Sequence, residues 1–332
     1  MKLLLTGATG FLGANVLRVA LAQGHEVVCV VRRPNRCVEG LPTRLVNVGL
    51  EDVDGLTAAA EGCGGVLHVA GSYDTGPDGI ATMRRLHVDA ARALVEVSRR
   101  VGARFVYCSS SITVGFGGRD APGDEDTPYD ADVVYGRTGV LRAYHDTKLE
   151  GERVTVDAGG VVVNPDYVLG AWDVKPTSGQ LLLSIARGWV PLWPRGGKCF
   201  VDAVDCAEGH LLALERGVPG RRYLLGNHNL SYREFMDACA RAAGRPGPIL
   251  PVPRLVVGLA GTAGRVLQRV DPHRYAGLTR EVLAAMQSER YRSGRRSWEE
   301  LGVPRRPIAT SIADALDWFR ANGYLAGPGG RG

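Results

Sequence analysis

The glycine-rich segment TGATGFLG, near the N-terminus, constrains the fold of this chain more than any other feature. It follows the apolar run KLLL and precedes a helical pattern, which is the setting in which such a loop binds phosphates. Gly7 permits a sharp turn, Gly10 lets a pyrophosphate approach the backbone, and Gly13 lets the following helix pack on the strand. The helix start offers unpaired N–H groups to an anion. The residues expected to contact a dinucleotide here are Gly7, Thr9, Gly10, Phe11, Leu12 and Gly13.

The first half of the chain alternates short apolar runs with helical patterns. Runs such as EVVCVV, GGVLHVAG, ARFVYCSSS and GVVVNPDYVLG are apolar on both faces, which indicates a parallel sheet covered by helices on both sides. After Gly170, Pro and Trp become frequent and the alternation stops. We therefore predict an α/β fold, with a Rossmann-type doubly wound sheet over residues 1–170. A smaller, mostly helical substrate domain is expected over 171–332, with 197–217 packing back on the first domain.

The residues after the second strand predict which dinucleotide binds. An acidic residue there would hydrogen-bond the adenosine ribose of NAD, but the sequence reads VVRRPNR. An arginine can instead bind the 2′-phosphate of NADP through charge-assisted hydrogen bonds. We therefore expect NADP(H), held by Arg32 or Arg33. NAD(H), with both arginines simply on the surface, is the alternative.

Three side chains form a candidate catalytic group. Ser110 follows the fifth strand, and Tyr144 and Lys148 are four residues apart, which places both on one face of a helix. A free phenol has a pKa near ~10, and a neighbouring ammonium and a bound nicotinamide are expected to lower it. The phenol could then exchange a proton with a carbonyl or alcohol oxygen held by the serine, while the nicotinamide transfers hydride. Tyr135 is rejected for this role because Gly139 occupies the matching lysine position.

These motifs together resemble the extended short-chain dehydrogenase/reductase family, in its dihydroflavonol-reductase-like branch, which includes the hopanoid-associated sugar epimerases. The resemblance extends over nearly the whole chain through VLHVAG, FVYCSSSITVG, YHDTKLEGE and FVDAVDCAEGHLLALERG. It implies that Ser110 is the catalytic serine, or Ser111 when counted as in nucleotide-sugar epimerases. It also implies a homodimer formed through the helix of the Tyr/Lys pair. Further cofactor contacts that it implies are Leu50, Ala70, Gly71 and Pro165, and Tyr144 and Lys148 are expected to contact the cofactor as well.

Some positions bear on the substrate. Ser111 is expected to contact the substrate if Ser110 is the catalytic serine. Tyr73 and Tyr167 follow strand ends, so they either line the substrate pocket or pack structurally. Asp166 is expected to serve a turn. In epimerases of the family an arginine binds the pyrophosphate of the sugar nucleotide, and Lys198 stands at that position here. A second departure is His87, which stands where the family usually has an asparagine in the long helix. The lysine weakens the expectation of a sugar nucleotide without excluding it.

Three functions are therefore open. The first is a reductase, or the reverse dehydrogenase, that acts on a carbonyl or alcohol of a small molecule with exchangeable NADP(H). The second is a sugar epimerase or dehydratase that retains NAD and returns the hydride. The third is a cofactor-sensing protein without turnover, against which the complete Ser/Tyr/Lys set argues.

Composition and charge indicate which partners and cellular locations are not expected. The 40 Lys and Arg against 35 Asp and Glu give a net charge of only +5, without a concentrated basic face, so we expect no nucleic-acid partner. The seven cysteines lack metal-ligand spacing, and no metal is expected. No apolar run reaches about 20 residues, so we expect no membrane span; the most apolar stretch is 253–267. Met1 leads directly into a strand, so we expect no signal peptide and a cytoplasmic location.

Overall fold

A seven-stranded parallel sheet forms the centre of the protein, as the alternating pattern predicts. The computed structural model describes residues 1–253 and 285–325. The strand order is β3-β2-β1-β4-β5-β6-β10, and every neighbouring pair is parallel. The strands of this sheet are β1 (Lys2–Thr6), β2 (Glu26–Val30), β3 (Arg44–Val46), β4 (Gly65–His68), β5 (Arg104–Cys108), β6 (Val161–Pro165) and β10 (Arg222–Leu225).

The strand order reverses between β1 and β4, where Thr6 lies opposite His68. In an open parallel sheet, a crevice forms outside the carboxyl ends of the strands at such a reversal, and ligands bind there. The glycine loop, Ala70 and Ser110 all follow the carboxyl ends of strands next to this point. The topology therefore brings the predicted site residues to one edge of the sheet.

Helices cover both faces of the sheet. Successive residues of a strand point to opposite faces. Leu3 and Leu5 of β1 therefore pack with α1 and α8 in one core, while Leu4 packs with α2, α4 and α6 in another. The α-helices of the described residues are α1 (Phe11–Ala22), α2 (Val53–Ala59), α3 (Gly79–Arg84), α4 (Ala90–Val101), α5 (Ala131–Tyr135), α6 (Val140–Asp157), α7 (Gln180–Arg187), α8 (Ala203–Arg216), α9 (Tyr232–Ala243) and α10 (Ile308–Ala321).

A second, small sheet lies beside the first. The segment predicted as one strand over 160–170 is two strands: β6 ends at Pro165 in the large sheet, and the next strand pairs with a different partner. The core beneath this small sheet includes Phe200 stacked on Phe235, with ring centroids 4.2 Å apart. The additional strands are β7 (Tyr167–Leu169), β8 (Leu192–Trp193), β9 (Gly197–Asp202), β11 (His228–Ser231), β12 (Leu250–Pro251) and β13 (Glu289–Arg290).

Strand β9 is central in the small sheet: β7 and β13 pair with it in parallel and β11 in antiparallel fashion, while β8 and β12 pair separately. Within the parts of the chain that the structure describes, no helix has the length and apolar character needed to cross a bilayer. The apolar stretch singled out in the sequence lies, from residue 254 onward, outside the described residues.

Candidate active site

The glycine loop has the shape that a pyrophosphate requires. Gly7 has a φ of +84°, and a Cβ there would lie 2.6 Å from the backbone N of Ala70. A Cβ on Gly13 would lie 2.1 Å from the carbonyl oxygen of Gly7. Gly10 is the N-cap of α1 and no side chain caps this helix, so its first N–H groups face an open cradle. Phe11 and Leu12, the first helical residues, are partly buried against the core below.

A side-chain contact links this loop to the predicted 2′-phosphate site. The amide Nδ2 of Asn35 donates to the carbonyl oxygen of Thr9 over 3.0 Å, and its Oδ1 accepts from the backbone N of Cys37 over 3.0 Å. Arg32 and Arg33 lie between these segments, just beyond the carboxyl end of β2, and both are exposed. Among residues 1–253 and 285–325, neither arginine has a carboxylate within ion-pair distance.

The other predicted cofactor residues lie at the same edge of the sheet. Leu50 follows β3 and is half-buried against the core. Ala70 and Gly71 follow β4, and a Cβ on Gly71 would lie 3.1 Å from the Nζ of Lys148. Pro165 ends β6 and is buried. The dinucleotide residues and the lysine of the candidate catalytic group are thus brought together.

A buried histidine holds the segment after β4 in place. His68 accepts a hydrogen bond at Nδ1 from the Thr6 hydroxyl over 2.7 Å, and its Nε2 donates to the carbonyl oxygen of Leu86 over 2.9 Å. The backbone N of Ala70 donates to the same hydroxyl over 3.3 Å. Burial, helped by the charge of Lys148, lowers the pKa of His68 to about 3. A neutral imidazole in this position orders the cofactor-facing backbone and is a poor base.

The predicted catalytic residues converge. Tyr144 and Lys148 lie one turn apart on α6, and Ser110 is close enough to the phenol of Tyr144 to lower its pKa by hydrogen bonding. The Nζ of Lys148 donates to the carbonyl oxygen of Cys108 over 2.9 Å, which fixes it at the end of β5. The ammonium of Lys148 thus lies beside Gly71, and the phenol one helical turn earlier lies near Ser110. A phenol and a hydroxyl near one another are suited to proton exchange with a substrate oxygen.

Burial is the main influence on the charge state of this group. Burial raises the pKa of Tyr144 to about 12, and the hydrogen bond from Ser110 lowers it only in part. Burial also lowers the pKa of Lys148 to about 8. In the protein alone, desolvation of the phenolate is the largest cause of this shift. The lowering expected from the ammonium together with a bound nicotinamide stays a prediction. Near neutral pH the phenol keeps its proton and Lys148 keeps its charge.

His87, which replaces the family's asparagine, lies beside the phenol. It occupies a π-helical turn, Arg85–Asp89, between α3 and α4. Its Nε2 accepts from the backbone N of Ser72 over 3.2 Å, and its Nδ1 is 2.9 Å from the hydroxyl of Thr147. The rings of His87 and Tyr73 lie edge-on to Tyr144, with centroids 5.6 and 5.3 Å away. Tyr73 is 39% exposed, so it is placed at the mouth of the site.

A buried polar network behind the serine was missed by the sequence reasoning. Asn164 donates to the carbonyl oxygen of Ser110 over 3.1 Å, and the Thr113 hydroxyl, which has a single proton to share between its two acceptors, lies 2.9 Å from the same oxygen. Both also hydrogen-bond Glu152, whose carboxylate pairs with Arg222 at 3.1 Å. Glu152 lies on the same face of α6 as Lys148, four residues further on, and that spacing was the available signal. The network fastens the serine segment to the helix of the Tyr/Lys pair.

Two predicted substrate residues have other contacts. Ser111 begins a 3-10 turn and is 3% exposed, and it is Ser110 that lies close enough to the phenol to affect its pKa. The hydroxyl of Tyr167 donates to the carbonyl oxygen of Ser178 over 2.6 Å, and its ring packs on Phe200 with centroids 4.8 Å apart. The hydroxyl of Tyr167 is therefore already hydrogen-bonded within the protein, so only part of its ring could contact a substrate.

Asp166 is a buried ion-pair residue, where the sequence predicted a turn. Its Oδ2 lies 2.8 Å from Nη1 of Arg292, and its Oδ1 lies 3.4 Å from Nζ of Lys198. Arg292 also donates to the carbonyl oxygens of Val114 and Gly115, over 3.0 and 3.1 Å. The prediction failed because Arg292 is 126 residues away in the sequence.

Comparison with known proteins agrees with this geometry. The model of the NAD dependent epimerase/dehydratase family matches residues 3–226. A Synechocystis sp. protein provisionally named dihydroflavonol 4-reductase is 32% identical, over 96% of this chain and 95% of the relative. Sterol demethylase protein B of Methylococcus capsulatus is 30% identical, over 98% of this chain and 100% of the relative. The crystal structure of gox2253 superposes with a TM-score of 0.82 at 30% identity, over 98% of this chain and 99% of that one. The chain therefore belongs to the NAD dependent epimerase/dehydratase family, a group of NAD(P)-binding enzymes with the extended short-chain dehydrogenase/reductase fold.

Proposed function

We propose that the protein is an NADP(H)-dependent oxidoreductase that reduces a ketone or aldehyde of a small molecule, or oxidises the corresponding alcohol. The observation that carries the proposal is that Ser110 lies near the phenol of Tyr144, one helical turn from Lys148, whose Nζ lies beside Gly71. This group lies at the same sheet edge as the glycine cradle, so a dinucleotide and a carbonyl can meet there. The name of the Synechocystis relative also supports a reductase.

Each of the three residues has a separate role in the proposed reaction. Tyr144 is the acid. Its pKa of about 12 means that it keeps its proton near neutral pH and can donate that proton to the alkoxide formed from a carbonyl. Ser110 is placed to hydrogen-bond the same substrate oxygen. Lys148, with a pKa of about 8, stays charged near neutral pH and favours the phenolate left after the transfer. A bound nicotinamide would give or take the hydride at the neighbouring carbon. The protonated phenol is the form that carbonyl reduction requires.

A reductase consumes its cofactor in step with product. We expect the near-ultraviolet absorbance of NADPH to fall one-for-one with the alcohol formed when the protein is supplied with a panel of aliphatic and aromatic ketones and aldehydes. The alternative, supported by the name of the family, is a nucleotide-sugar epimerase or dehydratase that retains NAD and returns the hydride. Turnover of UDP-glucose without net loss of reduced cofactor would establish that alternative and reject the reductase.

The preference for NADP(H) is tested at Arg32 and Arg33. We expect the Arg32→Ala/Arg33→Ala double variant to bind NADPH about 10- to 100-fold more weakly, because charge-assisted hydrogen bonds to the 2′-phosphate are lost. NADH, which lacks this phosphate, should bind as before. Fluorescence titration measures both, with Arg99→Ala, an exposed arginine on α4 paired to Glu96, as the control. Equal weakening of NADPH and NADH would contradict the assignment.

A further inference from the structure

A buried carboxylate lies one helical turn beyond the lysine of the candidate catalytic group. Glu152 follows Lys148 by four residues on α6, which places both side chains on one face of the helix. Both residues are buried. Tyr107 packs beside them, because the Nζ of Lys148 lies 5.1 Å from the centroid of its ring and a Cβ on Gly151 would lie 2.6 Å from its hydroxyl oxygen. Two opposite charges one turn apart in such an apolar setting attract each other more strongly than they would in solvent.

The carboxylate of Glu152 is also tied to the candidate catalytic serine. Its Oε1 accepts from the amide Nδ2 of Asn164 over 2.6 Å and lies within hydrogen-bond distance of the Thr113 hydroxyl. Its Oε2 accepts from Nη1 of Arg222 over 3.1 Å. A guanidinium and an amide that both donate are the partners that an ionised carboxylate takes. The Asn164 amide has a second proton, which it donates to the carbonyl oxygen of Ser110 over 3.1 Å, so one amide joins the carboxylate to the serine.

The thiol and the two phenols that face Lys148 carry no charge near pH 8. Burial raises the pKa of the Cys108 thiol to about 11 and raises the pKa of the Tyr107 phenol well above its usual range. Tyr144, one turn earlier on α6, has a pKa of about 12 and keeps its proton as well. None of these three groups is therefore an anion that could hold the proton on the lysine.

The two imidazoles that face Lys148 are uncharged too. Burial lowers the pKa of His68, on β4, to about 3, and burial also lowers the pKa of His87, in the π-helical turn. Within the parts of the chain that the structure describes, Glu152 is thus the anion that faces Lys148 near pH 8, and its charge raises the pKa of the lysine against the effect of burial.

We propose that Glu152 is a positioning residue of the candidate catalytic group, whose charge keeps Lys148 in the ammonium form and whose hydrogen bonds hold the turn of Ser110 against α6. The inference rests on the proposed function for the use of the ammonium in the reaction. The effect of the carboxylate on the lysine is a property of the protein alone. The ammonium favours the phenolate left after proton transfer, so without the carboxylate the activity should be lost at a lower pH.

An NMR titration of Lys148 tests the proposal without substrate or cofactor. The chain has four lysines, Lys2, Lys148, Lys175 and Lys198. Full-length protein labelled with ¹³C at the lysine Cε therefore gives few signals, and Lys148→Met identifies the relevant one. We expect its midpoint near pH 8 in the wild type. In Glu152→Gln the midpoint should be at least about 0.5 pH unit lower, because the attraction across one turn is lost.

The matched control is Glu150→Gln, on the same helix. Glu150 pairs with two exposed arginines, Arg84 and Arg92. Its loss should leave the Lys148 midpoint within about 0.2 pH unit of the wild type, because an exposed charge is screened by solvent. Glu152→Asp, which keeps the charge, should have a midpoint closer to the wild type than Glu152→Gln has.

A double variant guards against loss of the fold. Glu152→Gln leaves Arg222 without its counter-charge, whereas Glu152→Gln/Arg222→Met removes both members of the pair, which is commonly tolerated better. The Lys148 midpoint should fall in the double variant also. Chemical denaturation shows which of the two variants is folded at each pH of the titration.

Activity provides the second measurement. With a carbonyl that the wild type reduces, the alkaline limb of kcat against pH should move to lower pH in Glu152→Gln, and kcat at pH 7 should fall at least about tenfold as the Ser110 turn loosens. An unchanged Lys148 midpoint in the folded variant, or an equal fall in Glu150→Gln, would overturn the inference. A wild type that reduces no carbonyl would count against the proposed function, while the lysine titration still decides whether Glu152 keeps Lys148 charged.

Discussion

Replacement of Tyr144 by Phe is expected to lower kcat for carbonyl reduction by about 10²- to 10⁴-fold, the usual contribution of a positioned acid. The phenylalanine ring keeps the edge-on contacts with Tyr73 and His87 and removes only the oxygen that bonds Ser110. The affinity for NADPH should change by less than about twofold, because the glycine cradle and Arg32 are untouched. Steady-state kinetics and a fluorescence titration of NADPH measure the two quantities separately.

A tyrosine outside the site provides the control for this prediction. Tyr324 follows α10, and its hydroxyl donates to the carbonyl oxygen of Val174 over 2.7 Å. Tyr324→Phe loses one hydroxyl, as Tyr144→Phe does, and should keep wild-type kcat. If Tyr144→Phe also kept full activity, the phenol would not be the acid. If neither wild type nor variant turned over any carbonyl while both bound NADPH, the cofactor-sensing alternative would be favoured.

The parts of the site that the sequence predicts are those set by short-range geometry. The glycine loop needs only eight consecutive residues after a strand, and the four-residue spacing of Tyr144 and Lys148 fixes them on one helix face. Ser110 could be placed because polar residues at the carboxyl end of one parallel strand lie beside those of the next. Each of these expectations concerns where the backbone puts a residue, and the structure brings these three side chains together with Gly71.

The features that the sequence could not supply depend on distant partners and on burial. Arg292 reaches Asp166 across 126 residues, and Arg290 becomes the neighbour of Lys198 only when β13 pairs with β9. The break between β6 and β7 at Asp166 is hidden because both strands are apolar and follow one another in the chain. The raised pKa of Tyr144 has the same origin, because the cost of desolvating a phenolate depends on the whole surrounding core. A sequence pattern indicates residue types and their spacing, but it does not indicate which distant residues pack around them.

Substitution of Gly13 by Ala is expected to weaken NADPH binding by at least about 100-fold and to destabilise the fold by about 1–3 kcal/mol, as overpacking commonly does. The new Cβ would lie 2.1 Å from the carbonyl oxygen of Gly7 and 2.5 Å from its carbonyl carbon. Both are backbone atoms of the cradle, so the loop must move to relieve the contact. NADPH titration and chemical denaturation measure the two effects.

Substitutions at two further glycines distinguish an effect on NADPH affinity from an effect on the stability of the fold. Gly10→Ala has only the Gly7 carbonyl oxygen nearby, at 3.4 Å, so it should leave stability within about 1 kcal/mol. Its methyl group would nevertheless stand where the pyrophosphate approaches, so NADPH affinity should fall at least about tenfold. Gly24→Ala, at a φ of +77° with nothing within 4 Å, should cost about 1–2 kcal/mol of stability without any loss of affinity. If affinity followed stability across all three variants, the glycine loop would be only a structural turn, and the dinucleotide would have to bind elsewhere.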